Sequence, residues 1–246
     1  MSATAFSWEP LYIVLPVAAA VVYRRAARAD PPGRARVASF VAGAFLVAAP
    51  LNSPMETIAA KRLLLIHLLQ NALIADIAPI LLLLGLTPAM KRWLARHGGD
   101  RIRSRWAIVA WVAIWYGTHL AGFYNWALDT GWALNIEHGL LIAAGLLFWW
   151  PIVSGRLSVP LALAYLGAGF VASSFLGLAF IFSTRPFYSF YEHAPRLWGL
   201  SPERDQNLGG ILMNAEQTIV FLVAIGYYVS RLLAEEDGGG ATLQER

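Results

Sequence analysis

Apolar residues in this chain come in long unbroken runs, and charge is confined to short islands between them. Seven runs can be drawn: Leu11–Tyr23, Val37–Leu51, Leu63–Leu86, Trp106–Ala121, Ile136–Val153, Val159–Phe182 and Leu208–Leu232. None shows the alternation over about ten residues that marks a transmembrane barrel strand. Lipid cannot satisfy the edges of an open sheet. The pattern therefore predicts an all-α, polytopic membrane helical bundle of about seven transmembrane helices, a single domain over residues 1–233. Pro16, Pro79 and Pro160 are compatible with this, because neighbouring helices can satisfy the carbonyls that proline frees. The second run is short, and Arg34 and Arg36 are expected to snorkel at its end. The polar, Gly-rich DGGGATLQER stretch reads as part of a mobile cytoplasmic tail over residues 234–246.

Composition agrees with the pattern. Of 246 residues, 58% are hydrophobic and only 14% charged, where a soluble domain carries about a quarter. The net charge of +4 is not a nucleic-acid signal, since the basic residues lie between the runs. Fourteen of the nineteen Lys and Arg fall on one side of the seven-span arrangement and five on the other. The positive-inside rule then puts the N-terminus outside and the C-terminus, with Glu235, Glu236 and Asp237, in the cytoplasm. No Lys or Arg precedes the first run, and Arg24 and Arg25 follow it directly. That is the reverse of a signal peptide, so the run reads as a retained helix.

The stretch KRWLARHGGDRIRSR reads as an inside anchor, with His97 solvated. Phe148, Trp149 and Trp150, with Trp126 and Trp132, read as interfacial aromatics. There is no internal repeat, which disfavours an inverted-repeat transporter. The absence of cysteine excludes thiolate chemistry, so any soft metal must be held by His and Met.

Ionisable residues inside the runs carry the chemistry, since an Asp or Lys at a helix centre costs roughly 2.5–3.5 kcal/mol. His67 opens the third run, His119 closes the fourth and His138 opens the fifth, all at the outward side of the arrangement. His67, Gln70 and Asn71 share one helical stripe. Asp76, about 180° around that helix from His67, does not. Gly209, Gly210, Met213, Glu216 and Gln217 form a stripe on the last run, with Asp205 and Gln206 just above it. Its glycines permit close helix approach. Imidazole suits copper, zinc or haem iron, and Met55 or Met213 could add a thioether for copper(I). The plainer alternative is that these groups cap helix ends or hydrogen-bond between helices. His193 either reaches the site or faces water.

At these residues the chain resembles the CtaG family of multi-span cytochrome c oxidase assembly factors of bacterial plasma membranes. The resemblance runs from about Leu63 to Arg231. It rests on HLLQN followed by DIAPILLLLG, on HLAGFYNWAL, on EHGLLIAAGLLFWWP, and on DQNLGG opening the last run. It implies a seven-helix bundle that helps mature a haem–copper oxidase without being an enzyme. Its partners would be the lipid bilayer, oxidase subunits and other assembly factors. The motif residues carried over are His67, Gln70, His119, Glu137, His138, Asp205, Gln206, Gly209 and Gly210. Two positions depart from the family pattern. Asn71 stands where a second histidine is usual, and Ala133, Leu134 and Asn135 lack a histidine common shortly before the Glu-His pair.

The expected site is copper held by His67, His119, His138 and Met213. Gln70, Asn71, Glu137, Asp205, Gln206 and Glu216 would support it, and Gly209 and Gly210 would pack the helices. Two rival functions remain at this point: a membrane oxidoreductase holding haem between paired histidines, and a proton-coupled transporter using Asp76 and Glu216.

Overall fold

A computed structural model describes residues 5–101 and 103–235, whose regular structure is all helical with no strand among the described residues. The long helices are α1 (Leu11–Ala26), α2 (Arg34–Leu51), α4 (Leu64–Gly85), α6 (Ser104–Thr118), α8 (Gly131–Val153), α9 (Val159–Phe182) and α11 (Pro202–Glu235). Short helices join them: α3 (Pro54–Ala59), α5 (Pro88–Leu94), α7 (Ala121–Asp129) and α10 (Ser189–His193). Several starts are written locally. Ser53 caps α3 and Thr87 caps α5, each followed by a first-turn proline whose missing N–H costs nothing there. Pro160 likewise sits in the first turn of α9.

Five helices, α2, α4, α8, α9 and α11, are long and apolar enough to cross a bilayer. Helices α6 and α7 add a sixth crossing if that pair, bent by 65°, is one span. Helix α1 has 16 residues, about 24 Å at 1.5 Å per residue, short of a hydrocarbon core of about 30 Å. Helices α3, α5, α7 and α10 occupy stretches that hydropathy marks only as connections. The tail from residue 236 onward lies outside the described residues, while Ala234 and Glu235 continue α11.

Helix α11 packs along α9 and against the start of α4. Helix α2 lies on the second half of α4, and α8 sits between α4 and α6. The glycine pair of α11 makes the first two contacts possible. A Cβ on Gly209 would come within 2.8 Å of Leu68 Cδ1 on α4, and one on Gly210 within 2.7 Å of Phe180 Cβ on α9. One half of the bundle is filled by interlocked aromatics. Phe148 lies 4.4 Å from Trp111, 4.8 Å from Tyr165 and 5.7 Å from Phe221, centroid to centroid. Phe148, Trp149 and Trp150 are thus core residues rather than interfacial ones, because α8 is central and buries all three. Trp126 and Trp132 remain exposed at the other end.

The middle of α4 is irregular for a covalent reason. Pro79 has no N–H to give the Ala75 carbonyl, and the chain widens to i→i+5 bonding over Leu73–Ile77, with Ala78 N–H closing on Leu73 O. Helix α8 fits over the freed carbonyl only because residue 145 is glycine. A Cβ there would lie 1.8 Å from Ala75 O. A Gly145→Val substitution is expected to lower the thermal unfolding midpoint in detergent, by at least the roughly 1–3 kcal/mol of an overpacked core. Gly167→Ala in α9, where nothing approaches within 4 Å, is the control and should leave it within about 0.5 kcal/mol.

Candidate functional site

The start of α4, the end of α6 and the start of α8 meet at one end of the bundle, bringing His67, His119 and His138 to the same depth. All three are buried, as are Gln70, Asn71 and Glu137. Hydrogen bonds settle the proton positions on two of the rings. Tyr191 donates its single hydroxyl hydrogen to the Ala59 carbonyl at 2.6 Å. His67 Nδ1 lies 2.9 Å from that same phenol oxygen, so Nδ1 carries the proton and donates it. His67 Nε2 is left with a bare lone pair facing Glu137 Oε1 at 3.6 Å, too long for a hydrogen bond. His119 Nδ1 donates to the Trp115 carbonyl at 2.7 Å, and its Nε2 has no protein partner. Neither nitrogen of His138 has one. Imidazoles anchored through Nδ1–H with Nε2 free are held as a metal ligand is held.

His67 and His138 stand side by side, ring centroids 5.8 Å apart. Tyr124 packs on His67 at 5.0 Å and on His119 at 5.8 Å, bridging the two, and itself stacks on Tyr188 at 4.1 Å. Among the described residues no three His, Asp or Glu side chains converge as a metal ion requires. His67, His138 and Glu137 form a close group, and His119 joins it through Tyr124, on which both it and His67 pack. Met213 lies buried in the apolar cluster that also holds Trp115, Tyr124, Tyr188 and Tyr191.

Asn71 donates to Glu137 Oε1 at 3.3 Å, joining α4 to α8. Gln70 donates to the Pro50 carbonyl at 3.0 Å and to Glu56 at 2.6 Å, closing the end of α2 and holding α3. Glu56 is 3% exposed. Burial pushes its carboxyl up to about 7, opposed by the Gln70 hydrogen bond and reinforced by the nearby Glu9.

Asp205 and Gln206 are anchors of the fold around this site rather than parts of it. Leu63 has no side chain that can cap α4. The Asp205 carboxylate, from α11, does so instead, accepting from Leu64 N at 3.0 Å and Leu65 N at 2.9 Å. Arg196 supplies the counter-charge at 3.0 Å. Gln206 accepts from Phe187 N at 2.7 Å and donates to the Arg185 carbonyl at 3.1 Å. Asn207 donates to the Phe180 and Ile181 carbonyls at 2.8 and 3.0 Å, closing the end of α9. Three consecutive residues thus tie α4, α9 and the 183–201 connection together.

Glu216 leaves the group expected around the histidines. Its electrostatic partner is Asp76, because a helical stripe running down α11 carries it away from the histidine end. His97 is exposed and stacked on Trp93 at 4.3 Å. His193 is exposed too, its Nδ1 bonded to the Ser189 carbonyl, and does not reach the site. Tyr124, Tyr188, Tyr191 and Glu56 are functional neighbours that hydropathy did not single out. Only Tyr124 lay inside a quoted motif, HLAGFYNWAL. Tyr188 and Tyr191 enter from a connection whose path hydropathy does not encode.

Fold and site together define a multi-pass helical membrane protein with a buried imidazole–carboxylate group near one end of the bundle. The chain belongs to the family of cytochrome c oxidase caa3 assembly factors (Caa3_CtaG), whose model matches residues 17–235. That match extends past Leu63 to include α2 and most of α1. No curated protein and no solved structure matches the chain.

Asp205→Ala should destabilise the protein by about 3 kcal/mol, since two N–H groups and a guanidinium lose their acceptor; thermal unfolding in detergent measures it. Glu56 holds its proton more tightly folded than unfolded, so its contribution to stability is fully present below about pH 4.5. That contribution is lost as pH rises to about 7, and the loss is of the order of 1–3 kcal/mol. Glu56→Gln, which mimics the protonated acid, should flatten the fall in unfolding midpoint between pH 5 and pH 8, on the order of the same energy.

Proposed function

We propose that this assembly factor acts at a bacterial plasma membrane by holding copper(I) transiently, as cargo for a haem–copper oxidase, at His67 and His138 beside Glu137. The observation that carries this reading is the bare Nε2 lone pair of His67 beside an unpartnered His138 imidazole in a site closed off from solvent. A chaperone has to release its metal, and imidazoles without thiolate bind copper(I) less firmly than cysteine does. His119, which packs with His67 on Tyr124, and the nearby Met213 would contribute. The work is binding and delivery, not turnover, and the partners would be oxidase subunits and other assembly factors.

The charge distribution supports a chain with the N-terminus and the histidine end outside and the basic connections in the cytoplasm. Helix α1 would be a seventh span, its shortness offset by Arg24 and Arg25 snorkelling and by local bilayer thinning.

Copper content of the purified protein after copper-replete growth, alongside oxidase activity of the host membranes, tests the proposal. Wild type should carry copper, and His67→Ala combined with His138→Ala should lose both copper and oxidase assembly. Equal, near-zero copper in both proteins would remove the copper role and leave a scaffold. Tyr191→Phe removes the acceptor that fixes the His67 tautomer and should weaken copper(I) affinity by about 10–100-fold, read by competition with a chromogenic chelator.

A further inference from the structure

A second polar group lies deep in the bundle, away from the histidines. Asp76 sits in the widened segment of α4, 12 residues after Leu64, about 18 Å along the helix at 1.5 Å per residue, near the bilayer midplane. Its side chain is completely buried. Helix α11 packs against the widened segment and brings Glu216 and Gln217 beside Asp76, and the Trp149 indole comes from α8. Both carboxylate oxygens of Asp76 and both of Glu216 are buried with no well-formed hydrogen bond among the described residues, while the Trp149 indole and the Gln217 amide lie near enough to donate to Asp76. Gln217 is 0% and Trp149 2% exposed, so these polar groups are aimed into the group and not at water.

No cation balances the pair. The described parts of α4, α8 and α9 contain no Lys or Arg, and those of α2 and α11 lie at the helix ends. Helix α2, which packs on the widened segment, has no titratable side chain between Val37 and Leu51. The remaining titratable groups of the neighbouring helices are engaged elsewhere. Glu137 and His138 belong to the histidine site. Tyr165 and Tyr116 donate to the Phe148 and Ala172 carbonyls, and Tyr228 to Ile152 O. Two anionic carboxylates side by side at this depth would repel each other and lack both solvent and counter-ion. The neutralising species that needs no further ligand is the proton, which also turns each carboxyl into a donor for its neighbours.

We propose that Asp76 and Glu216 form a proton-binding site in the membrane interior, a carboxyl pair that takes up and releases protons reversibly as a coupled unit. Each protonation makes one O–H bond and removes one negative charge. The Ala75 carbonyl, one residue before Asp76, receives no i→i+4 hydrogen bond because residue 79 is proline. The site is separate from the histidine group and does not depend on the copper reading.

Infrared difference spectroscopy on the full-length protein in lipid nanodiscs tests this. Wild type should show a protonated-carboxyl C=O band at neutral pH that shifts in deuterium oxide. Asp76→Asn and Glu216→Gln should each remove part of it. In each variant the carboxyl that remains should titrate about one pH unit or more from its wild-type midpoint, a tenfold change in proton affinity. Replacing choline with sodium at constant pH and ionic strength should leave the wild-type band unchanged. The absence of any band that these substitutions remove, unmoved midpoints in both variants, or loss of the band in sodium would each overturn the proposal. If a variant does not fold, the wild-type titration and the sodium comparison still decide it. An alkaline-insensitive or sodium-displaced wild-type band overturns the site as a reversible proton site.

Discussion

A bilayer offers a helix end nothing to bond with, so any terminus drawn below the headgroups must be closed from within the protein. In this chain that requirement falls on three adjacent side chains at the start of α11. Asp205 takes the first N–H groups of α4, and Asn207 meets the last carbonyls of α9. Gln206 holds the connection that passes over them. The following glycines then let α11 press against both helices. Once α4 and α11 are locked in this way, the depth of His67 is set, and with it the place where the α8 residues Glu137 and His138 can meet it.

The same closure shapes the chemistry above it. The connection anchored by Gln206 carries Tyr188 and Tyr191. Tyr191 fixes the His67 proton on Nδ1, and Tyr188 stacks against Tyr124. The result is a buried site with oriented lone pairs and few charges. Asn71 is not idle: its amide holds Glu137 beside His67.

Deeper in the bundle, one proline has consequences on three helices. Pro79 frees the Ala75 carbonyl, the turn widens, and Gly145 of α8 moves over it. In that widened segment Asp76 lies beside Trp149 of α8 and Gln217 of α11. A helical wheel places Asp76 opposite His67, which is right in excluding it from the histidine site. The wheel cannot name Glu216 and Gln217 as its neighbours, because that depends on which face of α11 the glycine pair turns inward.

Runs of apolar residues, the paucity of charge and the lopsided basic islands are one-dimensional quantities, and from them the all-helical membrane class and most span positions were legible. So was the buried stripe of His67, Gln70 and Asn71, since local periodicity decides which residues share a face. The bend after Thr118, the short helices in the connections and the burial of Phe148 and Trp149 were not, because they follow from which helices become central. The DQNLGG run could be recognised as a motif, but its work as a clamp on backbone groups 140 residues away became visible only in three dimensions. Helix periodicity is set by each segment's own backbone. Capping between segments, proton positions on imidazoles and the pairing of buried carboxyls are set by contacts between segments, and those only the packed bundle decides.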